Sequence, residues 1–108
     1  MADSNDWVQV GLVGIESGTC LIVDPTYHRD GFYGVEEVEA VTLEVVGSPA
    51  RVGTLKLPDG MIVGTAVATG FGDGEYPVEV RYADTRWGRR VAEVRVRFLD
   101  ENEIADSN

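Results

Sequence analysis

Short runs of alternating apolar and polar residues, broken by Gly, Pro and Asp about every ten positions, cover most of this chain. A period of two places successive side chains on opposite faces of a strand, so each run predicts a half-buried β-strand. The first is WVQVGLVGI at 7–15, where Val8, Val10 and Leu12 alternate with Gln9 and Gly11. The tripeptide ESG at 16–18 then reads as a hairpin turn, with Gly18 free to take positive φ. TCLIVD at 19–24 is apolar on both faces, as a central strand would be, and Pro25 ends it for want of an N–H. AVTLEVV at 40–46 alternates with Val41, Leu43 and Val45 on one face. RVGTLKL at 51–57 and MIVGTAVATG at 61–70 flank the turn signal PDG, and Gly64 marks a bulge or a close packing contact. PVEVRY at 77–82 and VAEVRVRFL at 91–99 form a last hairpin across ADTRWGRR. On that hairpin Glu79 and Arg81 face outward with Glu93, Arg95 and Arg97, so cross-strand ion pairs are expected.

Only VEEVEAVTLEV offers a rival helical spacing, which admits a short helical turn at 34–39. The β-branched residues that follow favour a strand, because their restricted χ1 suits a pleated surface. The expected architecture is therefore all-β: an antiparallel sandwich or open barrel of about seven strands. At 108 residues it is one domain, with mobile termini at about 1–6 and 100–108.

Composition narrows the functions open to such a domain. Nineteen acids against nine Lys and Arg give a charge of −10, which repels phosphate backbones and disfavours nucleic acid as a partner. No apolar run reaches the roughly 18 residues of a membrane span, and the polar start lacks a signal-peptide pattern, so a cytoplasmic protein is expected. Cys20 is the only cysteine, which removes any intramolecular disulfide and any cysteine cluster for metal.

The bases are concentrated. Six of the nine lie in 81–97, where Asp84 and Glu93 oppose them, for a local charge of +4 that leaves −14 on the remainder. Sheet pairing accounts for Arg81, Arg95 and Arg97 but not for Arg86, Arg89 and Arg90, which surround Trp87 in an apparent turn. Tryptophan with arginines is the composition of a protein-interface hot spot or of a stacking platform; the plain alternative is a ring folded over the core edge. An acidic body with a basic hairpin is also complementary to itself, so a protein partner or self-association into a homo-oligomer is the favoured reading. Tyr27 and His28, in the irregular stretch 25–39, are added as contacts for a partner or an enclosed small ligand.

Two short stretches, IESGTCLIVDPTY at 15–27 and GFGDGEYPVEVRY at 70–82, resemble a family of small uncharacterised bacterial and phage proteins. The shared features are a Ser-Gly turn, a strand ending in Asp-Pro, and Gly-Asp-Gly-x-Tyr-Pro-Val. The resemblance implies a β-rich fold and a bacterial or phage source, and it names no activity. Glu16 and Thr26 stand where Asp and Cys would be expected, so no metal role of that cysteine is carried over.

The remaining chemistry is carboxylate chemistry. If loops from different strand ends met at one rim, Asp24, Asp73 and Glu75 could offer oxygens to a hard cation such as Ca²⁺, or serve a small hydrolase or metal-dependent enzyme. Against this, GDGEY lacks the acid ladder of an EF-hand loop, and aspartate between glycines is ordinary turn chemistry. Cys20 with His28 is the sole nucleophile pair, and Cys20 lies in an apolar run where cysteine packs as a small hydrophobe. The expectation is a non-catalytic binding or assembly module without a cofactor.

Overall fold

A computed structural model describes residues 6–27 and 34–106. Among these the order is β1 (Val8–Ile15), β2 (Thr19–Val23), a 3₁₀ turn (Pro25–Tyr27), α1 (Val35–Gly47), β3 (Val52–Lys56), β4 (Ile62–Ala68), β5 (Gly74–Thr85), β6 (Gly88–Val96) and α2 (Glu101–Asp106). The strands form two antiparallel sheets of three, ordered β1-β5-β6 and β2-β4-β3. The all-β expectation holds, with six strands in place of seven. The chain packs as two compact units: Glu16–Gly72 is one, and the chain up to Ile15 together with that from Asp73 onward is the other.

In the unit Glu16–Gly72, α1 lies on the β2-β4-β3 sheet. Val41, Val45, Leu55 and Ala66 form its buried core, and Leu21, Val23, Val63 and Ala68 pack around them. Gly53 lets the helix come close: a Cβ there would stand 2.9 Å from the Val41 carbonyl oxygen and 3.1 Å from Val45 Cγ2. Two glutamates fasten the helix, as Gly34 N–H donates to Glu37 Oε1 (2.7 Å) and Thr54 N–H donates to Glu44 Oε1 (2.8 Å). At its far end the Arg51 guanidinium donates to the Val46 carbonyl (2.8 Å), where positive charge suits the helix dipole. The turn between β3 and β4 forms as expected, with Met61 N–H on Asp59 Oδ1 (2.9 Å) and Gly60 at φ +94°. Gly64 is both things anticipated, lying beside the register shift at Leu55/Lys56 and within 3.0 Å of the Ile22 carbonyl through its virtual Cβ.

Three local expectations are corrected. Residues 40–46 are helix, not strand. Val41 and Val45 satisfy both a period of two and an i,i+4 helical spacing, and Leu43 decides between them: a strand would bury it beside those valines, yet it is 71% exposed. The turn at 16–18 joins no hairpin, since β1 pairs with β5 and β2 with β4. The loop of the last hairpin shrinks from eight residues to two, because pairing continues to Thr85↔Gly88.

In the other unit β5 is the central strand. Glu79 lies opposite Arg95 and Arg81 opposite Glu93, and both form the expected ion pairs, at 2.6 Å from Arg95 Nε to Glu79 Oε1 and from Arg81 Nε to Glu93 Oε1. Arg95 also lies over the Trp7 ring, its Cζ 4.1 Å from the centroid. On the opposite face, Tyr76 is buried and meets Phe98 edge-on, with centroids 5.3 Å apart. Pro77 occupies the central strand without breaking it: its carbonyl accepts Arg97 N–H (3.1 Å), and its missing donor falls where β6 has ended. The acidic tail opens with α2, where Asp100 and Glu103 cap each other's backbone N–H groups at 2.7 and 2.9 Å.

Candidate functional site at the hairpin tip

The β5–β6 hairpin turns on Arg86 and Trp87. Thr85 latches the turn: its hydroxyl donates to the Gly88 carbonyl (2.8 Å) and accepts Trp87 N–H (3.1 Å). Gly88 supplies the left-handed step at φ +102°, which a residue with a Cβ would take at a cost. These constraints hold Trp87 away from any core, and it is 67% exposed. The ring is not folded over a core edge.

The arginines are arranged around this ring and its neighbour. Arg86 Cζ lies 4.2 Å from the Trp87 centroid, and Arg89 Cζ lies 4.7 Å from that of Tyr82. Arg90 Nη1 donates to the Arg89 carbonyl (3.3 Å). Arg86, Arg89 and Arg90 are all exposed. A guanidinium over an aromatic face is attracted by the ring quadrupole and is held flat, leaving its edge donors open to acceptors. The tip therefore presents an apolar plate and several cationic donors on a short, latched turn.

Tyr82 and Thr85 were not singled out in the sequence. Thr85 was detectable from Thr-x-x-Gly at the centre of a hairpin, since a threonine hydroxyl can bond backbone groups two and three residues on. Tyr82 is reached by Arg89 only because of the register between β5 and β6, which composition does not disclose.

The other candidates belong to different units, Asp24 to Glu16–Gly72 and Asp73 and Glu75 to the other. Asp24 Oδ1 accepts Thr26 N–H (2.9 Å), and its carbonyl accepts Tyr27 N–H (2.9 Å), so this carboxylate is used in the 3₁₀ turn. Tyr27 is half-buried, and His28 lies outside the described residues. Asp73 and Glu75 belong to the unit with β5 and are exposed, Asp73 standing between Gly72 at φ +87° and Gly74. Thr69, nearly buried, donates its hydroxyl to the Gly72 carbonyl (2.6 Å) and shapes the approach to that turn. Among the described residues no three His, Cys, Asp or Glu side chains gather as a metal-ligand set. Cys20 is buried, and desolvation pushes its thiol above the ordinary value, the opposite of what a nucleophile needs.

Two open grooves lie in the unit Glu16–Gly72, of about 580 and 450 Å³. The larger runs between α1 and β3, and two of its carboxylates, Glu37 and Glu44, are already bonded to backbone N–H groups. The smaller includes Arg51, whose guanidinium caps the end of α1. No helix among the described residues is long and apolar enough to cross a membrane. Comparison with protein-family models, with curated proteins and with solved structures gives no match.

Proposed function

We propose that this protein is a non-catalytic binding or assembly module that docks on an acidic protein surface through the tip of the β5–β6 hairpin. A single observation carries the reading: Trp87 is 67% exposed on a latched turn, with Arg86 stacked on it at 4.2 Å. Leaving so large an apolar ring in water forgoes stabilisation that burial would supply, and tryptophan and arginine dominate interface hot spots. A turn that holds both in place has less freedom to lose on binding. The bacterial or phage setting follows from the motif resemblance at 15–27 and 70–82.

Native mass spectrometry of the purified protein, beside its denatured mass, tests the proposal. Association that Trp87→Ala removes is the expected result. A monomer carrying a Ca²⁺-sized adduct that Asp73→Asn abolishes would turn the reading toward the alternative, an enzyme or metal site working through Asp24, Asp73 and Glu75.

A further inference from the structure

Among the described residues the outer edge of β6 has no strand beside it, since it ends the order β1-β5-β6. Every residue from Gly88 to Val94 is exposed. Which backbone groups point outward follows from the register. Arg97 N–H donates to the Pro77 carbonyl, and the ladder then runs Val78↔Val96, Glu79↔Arg95, Val80↔Val94 and Arg81↔Glu93. In an antiparallel pair alternate residues turn both N–H and C=O to the same neighbour. Glu93 and Arg95 therefore bond β5, while Val94 and Val96 present theirs to the open edge.

We propose that a second copy of the chain pairs antiparallel with β6 about a two-fold axis at Val94, joining two three-stranded sheets into one of six. This rests on the reading of the protein as an assembly module and adds the partner and the register. The side chains select that register. An axis at Val94 sets Glu93 opposite Arg95 of the second copy, and Arg95 opposite its Glu93. Because Glu79–Arg95 and Glu93–Arg81 already pair within each sheet, opposite charges then alternate along a row: Glu79, Arg95, Glu93 of the second copy, Arg81 of the second copy. On the other face Val80, Val94 and their symmetry mates make a continuous apolar row, and Val94, 60% exposed in the single chain, is covered. Shifting the axis one residue either way sets Glu93 against Glu93 or Arg95 against Arg95, and like charges directly opposite are destabilising.

Two further features favour β6 over the sheet's other edge. β1 has no charged residue, so nothing on it specifies a register, whereas each edge strand carries one register shift, at Gln9/Gly11 on β1 and opposite Arg81/Tyr82 on β6, beyond the residues paired about the axis. The two-fold also runs each basic tip, with Arg86, Arg89 and Arg90, toward the end where the other copy's β6 stops and its Asp100, Glu101 and Glu103 follow. The acidic surface sought by the tip is then supplied by the second copy, and an isologous contact of this kind closes at two.

Sedimentation equilibrium of the full chain and of Val94→Lys tests the pairing, with circular dichroism to show that each is folded. The expected result is a dimer for the parent and half that mass for Val94→Lys, an exposed site where the substitution leaves the fold intact. Val94→Cys should cross-link under mild oxidation, because residues paired on the axis have Cα atoms about 5.5 Å apart, within disulfide reach. Val91→Cys, about 20 Å from its symmetry mate by strand rise, should not. A monomeric parent, an open-ended polymer, a folded Val94→Lys dimer, or preferential linking through Val91→Cys would each overturn the pairing. Trp87→Ala separates the two proposals. A dimer lost in Trp87→Ala but kept in Val94→Lys leaves the tip standing and removes the strand pairing. A dimer lost in Val94→Lys but kept in Trp87→Ala does the reverse.

Discussion

The two sheets are of equal strand number and treat their surfaces differently. The β2-β4-β3 sheet is made of short strands and has α1 on one face, where Val45 and Leu55 are almost sealed from water and Gly53 admits the helix at contact distance. The β1-β5-β6 sheet has longer strands and carries ion pairs on one face; each sheet leaves apolar side chains in water, Val8, Val91 and Val94 on this one and Ile22, Val52 and Ile62 on the other. The first arrangement is what a core requires: close packing that any change of volume disturbs. The second holds its apolar and charged side chains in register at an open edge, where unpaired backbone groups are a template that a further strand can meet.

This contrast predicts a ranking of mutational effects. Leu55→Ala removes a fully buried side chain from the α1–sheet core and should cost about 3 kcal/mol, read as a lower midpoint in denaturant unfolding with unchanged slope. A loss below about 1 kcal/mol would mean the core is not where the contrast puts it. Gly53→Ala should cost about 2 kcal/mol by forcing α1 outward, since the obstacle at 2.9 Å is backbone and cannot rotate away. A neutral Gly53→Ala would show that the helix can move without loss.

Cys20 probes burial by pH. Its raised thiol value means the folded protein holds this proton more tightly than the unfolded chain does. Stability from this group is therefore complete below the ordinary thiol range and is lost as pH rises through the raised folded value. Alkylation of the native protein at mildly alkaline pH should be slow and should accelerate sharply in denaturant; equal rates in both would contradict its burial.

The exposed sheet should respond weakly. A double-mutant cycle on Arg81 and Glu93 should return a coupling below about 1 kcal/mol, because Glu93 is half exposed and water screens the pair. Trp87→Ala is the smallest, within about 0.5 kcal/mol of the parent in stability, while association falls. A large loss of stability in Trp87→Ala would make the ring a structural element and remove the functional meaning of the contrast.

Much of this was legible in the chain itself. Alternation and apolar runs located all six strands within about three residues, PDG located the β3–β4 turn, and the Glu and Arg positions on 77–82 and 91–99 anticipated two ion pairs. The tip residues Arg86, Trp87, Arg89 and Arg90 were separable as the bases that sheet pairing leaves over. The helix at 35–47 was hidden because its buried valines fit two periods at once, and local propensity favoured the wrong one. Sheet membership was equally hidden: a Ser-Gly turn between two strands looks the same whether or not those strands pair.

What the sequence determined alone is what depends on neighbours along the chain. Side-chain alternation, turn residues and charge clustering act over a few positions, and their geometry follows from backbone sterics. Only the tertiary structure decided which strands share a sheet, that Val41 and Val45 close on Gly53 as a helix, and that Trp87 remains in water. Each of those depends on surfaces from distant segments meeting, and the free energy of that meeting outweighs local preferences that differ by about 1 kcal/mol or less.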